Sequence, residues 1–394
     1  MFEVKKPLFD ETDSKVWRPC IIIAYLISCI NPTVAQPPVS DFYCETEVMG
    51  YYPDYLWIPI PEIRYDRYTG VIFFSIFPNT NGSLNTSQID LTRQADFVQA
   101  ARNHDVGVLI CVGGWDLSAG FGPMAANATA RTAFIDNLKN YCINYDFDGV
   151  VLDWEPVSTA TDRSNYTVLI QELKTILSNH DLSLTVAVFA QGSEFDPAAI
   201  PSIDRLHIMA YDMSSDPALP HSTYEDAIAG VLHWETFGVP KEKIILGLPF
   251  YGRDADWSYY DYHDIIAQYA PPPEIDEVNG IHFNGVDTIR DKTHFIVTNQ
   301  YAGVMCWELT QDTQDSTSLL DSIADEILYE RQPDMNCDGA INSVDLETFI
   351  TRWSLSGCQL ENAWCDLCDM DRSGAVDLSD FAIFADAWMS DPSF

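Results

Sequence analysis

Asp153 and Glu155 close the run Phe147-Asp148-Gly149-Val150-Val151-Leu152-Asp153-Trp154-Glu155. The run reads as a buried strand. Side chains alternate faces in a strand, so Val151, Asp153 and Glu155 share one face and Val150, Leu152 and Trp154 share the other. Residues two apart sit about 6–7 Å apart along it. Two acids at the end of an apolar face are costly to bury unless some chemistry requires them. Neighbouring carboxyls raise each other's pKa, and such a pair can hold a proton at neutral pH and deliver it as a general acid.

A pair of this kind needs a scaffold that places strand ends side by side. Apolar, β-rich runs occur at 48–51, 71–77, 106–112, 149–153, 183–189, 206–211, 244–248 and 303–307. Helical patterns lie between them at 87–103, 129–145, 165–179, 224–237 and 316–329, with Ser87 and Thr129 as expected caps. Strands alternating with helices predict an α/β fold, a closed (β/α)8 TIM barrel. An open doubly wound sheet is the rival, but no Gly-rich phosphate loop follows the first strand. In a barrel the chemistry sits at the carboxyl ends of the strands. There the chain carries Cys111-Val112-Gly113-Gly114-Trp115, Met209-Ala210-Tyr211-Asp212-Met213, Gly247-Leu248-Pro249-Phe250-Tyr251-Gly252-Arg253 and Trp307-Glu308-Leu309. Aromatic rings stack on the apolar faces of sugars while hydroxyls and carboxyls bond their rims, so this mouth reads as a carbohydrate site.

The chain has 394 residues, 47% of them hydrophobic, and a formal charge of −38. That suits a barrel of ~250 residues plus a small module. Such acidity argues against nucleic acid or an anionic membrane as partner. Cys20 to Ile30 is an apolar run flanked by Lys15, Arg18 and Thr33-Val34-Ala35, which reads as a secretory signal over residues 1–35 and is too short to span a membrane. Leu26-Ile27-Ser28-Cys29 also fits a lipoprotein cleavage box, and either reading exports the chain. Among Cys44, Cys111, Cys142 and Cys306 most are expected to be free and buried. The histidines show no metal-like spacing.

After Pro333 the composition changes. Asp334, Asn336, Asp338, Asn342 and Asp345 occupy positions 1, 3, 5, 9 and 12 of a loop with Gly339 at 6, the spacing of an EF-hand-like calcium loop. Asp369, Asp371, Ser373, Gly374, Asp377 and Asp380 repeat it. Short amphipathic helices are expected at 346–353 and 381–388, giving a small all-α unit that two structural Ca2+ ions fold. Cys337, Cys358, Cys365 and Cys368 favour disulfides over zinc in an exported calcium module, and three pairings are open.

At these residues the body, about 44–330, resembles glycoside hydrolase family 18, the chitinase family. The strand-four motif D-x-x-D-x-D-x-E reads Asp148, Val151, Asp153, Glu155, and S-x-G-G reads Cys111-Val112-Gly113-Gly114. MAYDM, GLPFYGR and WEL also match. The resemblance implies Glu155 as general acid and the substrate's own acetamido oxygen as nucleophile, so that configuration is retained and no cofactor takes part. It further implies Asp153 to orient the acetamido N–H, Tyr211 to bond its oxygen, Asp212 to support Tyr211, and Trp307 as the floor under the sugar. Met209 and Arg253 line the same mouth, and Tyr51, Phe74 and Trp115 are candidate stacking residues. Two positions depart from the family: Val151 where Asp is usual, and Cys111 where Ser is usual. Asp153 thereby loses a buried acidic partner. Asp148 reads as structural and Trp154 as packing outward on helices. Only a short connection is expected between Arg253 and Tyr301, where many members carry a further domain, which implies an open groove. Residues 334–394 resemble a type I dockerin, implying a cohesin-type partner through Ser343, Val344, Leu378 and Ser379. Expected substrates are chitin or other N-acetylglucosamine polymers. An endo-β-N-acetylglucosaminidase of N-glycans and a catalytically weak chitin-binding lectin are the alternatives.

Overall fold

The computed structural model describes residues 38–55 and 59–390, so the expected signal segment at 1–35 lies outside the described residues. Two compact units emerge among the described residues, Tyr43–Glu330 and residues 331–390 with 38–42.

In the larger unit eight parallel strands form the core: β1 (Glu47–Pro53), β2 (Gly70–Pro78), β3 (Gly107–Gly113), β4 (Gly149–Asp153), β5 (Ser183–Phe189), β6 (Arg205–Met209), β7 (Ile244–Pro249) and β8 (Gly303–Trp307). Each pairs with the next, and β1 pairs with both β2 and β8, so the barrel closes. The expected runs match these strands because each is buried on both faces and reads as an unbroken apolar stretch. Inward residues Met49, Ile72, Leu109, Val151, Ala187, Met209, Ile245 and Met305 pack into one interior cluster. Trp154 faces outward, stacked on Phe121 at 5.2 Å and edge-on to Tyr166 at 5.1 Å.

Helix starts differ from expectation. Asp90, not Ser87, caps Leu91–Asn103, accepting from the backbone N–H groups of Thr92 and Arg93. Asn127, not Thr129, caps Ala128–Tyr145 in the same way. Both true caps have extended backbone and a short polar side chain that reaches two orphan donors of the first turn. Strand six ends at Met209, which leaves Tyr211 in the following loop.

The connection between Arg253 and Tyr301 is not bare. It holds most of a small antiparallel sheet, ordered Tyr259–Asp261, Tyr251–Arg253, Ile281–His282, Glu277–Val278, and the helices Tyr262–Tyr269 and Val286–Thr298. Strands of two or three residues are too short to leave a periodic signature, which is why the sequence hid them.

Asp148 is structural: it accepts from Val108 N at 2.7 Å and takes both Arg102 terminal nitrogens at 2.7 and 2.8 Å. Cys111, Cys142 and Cys306 are free and buried. Cys44 departs from that pattern, being disulfide-bonded.

The smaller unit is built on helices Ser343–Arg352 and Leu378–Ser390, each starting earlier than expected. Phe349 stacks on Phe384 with centroids 5.7 Å apart and meets Phe381 at 5.9 Å. The two loops bond alike. Asp345 accepts from the backbone N of Met335, Asn336 and Asn342 at 2.9, 3.3 and 2.8 Å. Asp380 accepts from those of Met370, Asp371 and Asp377 at 2.6, 3.0 and 2.8 Å. Cys358 pairs with Cys365, while Cys368 is a buried free thiol, so the four tail cysteines do not form two bridges among themselves.

Candidate active site

At the mouth of the barrel β4 ends on Asp153, and the chain carries on through Trp154 to Glu155. Asp153 is 4% exposed and Glu155 is half-buried. The Cys111 thiol stands 3.9 Å from Asp153 Oδ2. Asp153 Oδ1 meets no ordinary donor, and the Glu155 carboxyl, when protonated, is the neighbour able to bond Asp153. Burial, and then the Asp153 charge, push Glu155 up to about 9. Burial pushes Asp153 up as well, against hydrogen bonds from Glu155 and Cys111. The two carboxyls titrate as one system whose last proton rests on Glu155. Val151 lies one pleat deeper, fully buried and paired in register with Cys111.

The loop after β3 fixes this pair. Glu155 donates its backbone N–H to Ser118 Oγ at 2.9 Å, and that hydroxyl lies 3.1 Å from Gly114 O and 3.2 Å from Asp153 O. Gly113 and Gly114 both have φ of +106°. A Cβ on Gly113 would stand 2.1 Å from Asp153 O, and one on Gly114 would stand 2.4 Å from the Phe74 ring, so the turn requires glycine twice.

Aromatic groups at the mouth differ in exposure. Trp307 is partly exposed, with Phe74 4.8 Å away at 78° and Tyr51 5.5 Å away at 54°. Tyr51 is 2% and Phe74 7% exposed, which corrects the expectation that they stack on sugar: both pack against Trp307 instead. The Tyr51 hydroxyl lies 2.9 Å from His207 Nδ1, and burial pushes that imidazole down to about 3, so it stays neutral. Trp115 is 64% exposed on the loop after β3 and offers a ring face to solvent. Met209 is buried in the barrel interior cluster rather than lining the surface.

Beyond β6, Tyr211 holds its proton tightly, because burial and then the charges of Asp153 and Glu155 push its phenol well above the usual value. Its hydroxyl lies 4.0 Å from Met305 Sδ. Asp212 adopts φ +54° and accepts from Arg253 Nη1 at 2.6 Å. His221 Nδ1 lies 3.4 Å from both the backbone N and Oδ1 of Asp212. Burial favours neutral Asp212, but hydrogen bonds from His221 and Arg253 outweigh it and hold the carboxyl low. Arg253 is buried, with its guanidinium 4.1 Å from the Trp257 ring centre and 5.5 Å from that of Tyr259. It therefore ties loops together instead of facing the cleft.

Sequence reasoning brought Asp153, Glu155, Tyr211, Asp212 and Trp307 together at one mouth. It missed Ser118 and His221. Ser118 follows the glycine pair closely enough that loop closure could have suggested it, whereas nothing local marks His221.

Residues 47–312 match the family model described as glycosyl hydrolases family 18. Chitinase A1 of Niallia circulans is 27% identical over 288 residues, covering 53% of this chain and 41% of the relative, so the chain spans less than half of that protein. The crystal structure of the GH18 chitinase ChiB of Flavobacterium johnsoniae superposes with a TM-score of 0.65 at 25% identity, over 75% of this chain and 95% of that one. The chitinase-like agglutinin RobpsCRA of Robinia pseudoacacia shares the fold, with a TM-score of 0.64 at 23% identity over 71% of this chain and 99% of that one.

Proposed function

The chain belongs to the family 18 glycosyl hydrolases, and from that premise we propose that it is a secreted enzyme cleaving β-1,4 linkages in chitin and related N-acetylglucosamine polymers with retention of configuration. The observation that carries the reading is the placing of a buried Asp153 beside Glu155 at the barrel mouth, where burial and the Asp153 charge raise the Glu155 pKa. Glu155 gives its proton to the glycosidic oxygen. The substrate's acetamido oxygen attacks the anomeric carbon, the bond to the leaving sugar breaks, and a cyclic oxazolinium-type intermediate forms. Asp153 accepts the acetamido N–H and steadies the positive charge that develops. Tyr211, a neutral phenol, donates to the acetamido oxygen, and Asp212 keeps the Tyr211 loop in place through Arg253. Trp307 carries the apolar sugar face, with Trp115 further along the rim. Water activated by Glu155, now a base, opens the intermediate.

The test is turnover of a labelled chitooligosaccharide beside its fully deacetylated counterpart. Acetamido-dependent cleavage supports the reading, and equal cleavage of both overturns it. A high-mannose glycan in the same assay separates chitin from N-glycan action. Binding of the chitooligosaccharide without turnover would favour the lectin alternative, for which Val151 is the warning sign.

The pH dependence follows from the pair. Activity needs Glu155 protonated and Asp153 ionised, so it falls as pH rises through the raised Glu155 pKa and falls again as Asp153 protonates. Burial pushes both groups up, which moves the acid limb above the range of ordinary carboxylates. Val151→Asp is expected to move it back. At that fully buried position a new carboxyl stays protonated and donates to Asp153, favouring the Asp153 anion and lowering the acid limb by about one pH unit, with a rise in kcat. A pH–rate curve unchanged in position and height would refute the account of Val151.

The tail is proposed as a calcium-dependent docking module. Asp369, Asp371 and Asp380 bring ligand oxygens within 4.8 Å of one another, and Asp369 and Asp380 are fully buried. Such convergence of like charges suits a hard divalent cation with oxygen ligands. Asp334, Asn336, Asp338, Asn342 and Asp345 would hold one ion, and Asp369, Asp371, Ser373, Asp377 and Asp380 a second. Each ion would neutralise its loop and fold it, without a part in catalysis. Val344 is 50% and Leu378 72% exposed, and with Ser343 and Ser379 they present the surface proposed for a cohesin-type partner.

A further inference from the structure

Lys292 is fully buried, on the helix Val286–Thr298, and no catalytic role proposed above involves it. Its ammonium has three acceptors: Ser222 O at 3.0 Å, Ser222 Oγ at 2.9 Å and Asn284 Oδ1 at 2.7 Å. Asn284 returns a bond to Ser222 O at 2.8 Å. Ser222 in turn donates its hydroxyl to Ala210 O at 2.5 Å, the carbonyl immediately before Tyr211. Next in the chain, His221 stands against Asp212 and accepts Met213 N–H on its carbonyl at 3.1 Å. Ser222, Asn284 and His221 are each at most 3% exposed, so water does not readily replace a bond lost there.

We propose that Lys292 is a positioning residue for the active site: its three N–H groups pin Ser222 and Asn284, and through them hold the Ala210–Met213 turn that presents Tyr211 and Asp212. This rests on the catalytic reading of Tyr211. The count of donors decides the state required. A protonated amine has three N–H groups for three acceptors, whereas a neutral amine has two and gives up one of the three contacts; Ser222 O keeps the Asn284 amide as a second donor, so the contact given up is the direct one from Lys292 to the Ser222 carbonyl. Among the described residues no carboxylate bonds the ammonium directly. Burial lowers the Lys292 pKa to about 7, with Asp276, Asp226 and Glu225 opposing that shift from neighbouring elements, and Lys292 and Arg253 both disfavour a charged His221. The amine therefore changes state near neutral pH, and the turn loosens on the alkaline side before Glu155 gives up its proton.

The experiment pairs kinetics with hydrogen exchange on the full chain. Lys292→Met and Ser222→Ala are each expected to lower kcat on a chitooligosaccharide about tenfold with KM within about twofold, and the double variant to lose no more than either single change. In wild type a first, partial fall sets in near pH 7, ahead of the fall that belongs to Glu155, and Lys292→Met lacks that first step. Amide exchange across 210–213, corrected for the intrinsic pH dependence, should accelerate above pH 7 in wild type and be fast and pH-independent in Lys292→Met. This second readout needs no turnover, so it stands even if the chain proves inactive on chitin. Additive losses with superimposable pH profiles, or exchange in wild type that ignores pH, would overturn the proposal. Should Lys292→Met not fold, Ser222→Ala carries the same kinetic and exchange comparison.

Discussion

Glu155→Gln lowers kcat by about 10²–10⁴-fold while leaving KM within a few-fold, because general acid catalysis supplies that much of the rate and the amide keeps the shape of the acid without its proton. Four features make this the largest kinetic effect expected. Glu155 is held by its backbone N–H to Ser118, so the substitution leaves the loop tied. Its carboxyl is the group pushed up to about 9, so at neutral pH it carries the proton that the leaving oxygen needs. Asp153 cannot replace it, because it lies fully inside the mouth beside Cys111. No second protein carboxylate is required as nucleophile, so the residual rate should still depend on the acetamido group. The part of the alkaline fall that belongs to Glu155 should also vanish in the variant, since no proton remains to be lost from that position. A Glu155→Gln enzyme within threefold of wild type in kcat would remove the assignment of the acid.

Removing calcium is expected to unfold the tail while the barrel stays intact. Asp345, Asp369 and Asp380 are buried carboxylates capped by backbone N–H groups, and the second loop adds Asp371 and Asp377. Without a cation those charges repel across a small core centred on Phe349 and Phe384. Saturation at 100 to 1,000 times the Kd would stabilise the folded unit by about 3–4 kcal/mol, comparable to the whole stability of so small a module. EDTA should therefore expose the chain after Arg331 to protease within minutes while the barrel resists, and Ca2+ but not Zn2+ should reverse the change. The second loop, with more acidic ligands, should fill first as Ca2+ is titrated in. Asp369→Ala with Asp380→Ala should mimic EDTA in the second loop alone. Proteolysis that ignores EDTA would end the calcium reading.

The barrel was legible because burial on both faces writes an apolar run into every strand, and the eight runs fall on the eight strands. Asp153 and Glu155 stood out for the same reason, as acids where the run should have stayed apolar. What stayed hidden depends on contacts between distant parts of the chain. Nothing local in the sequence marks Lys292, and only the fold shows it enclosed with Ser222 and Asn284. Arg253 sits in a motif suggestive of ligand contact, yet Trp257 and Tyr259, outside that motif, cover it. Tyr51 and Phe74 carry the right side chains at the right strand ends, but Trp307, at the end of β8, covers them. Residue type at a strand end thus predicts chemistry better than it predicts which ring reaches solvent.

Closure of the eight strands has a consequence beyond shape. With β1 bonded on both sides, none of the eight presents a bare row of backbone amides and carbonyls. An open sheet would offer such a row as a template for clumping with its copies. Molecules crowded together on an insoluble polymer surface would meet one another through charged helices and loops, and the strong negative charge would keep them apart. The closure that brings Asp153 and Glu155 to one mouth thus also leaves these eight strands no edge at which copies could pair.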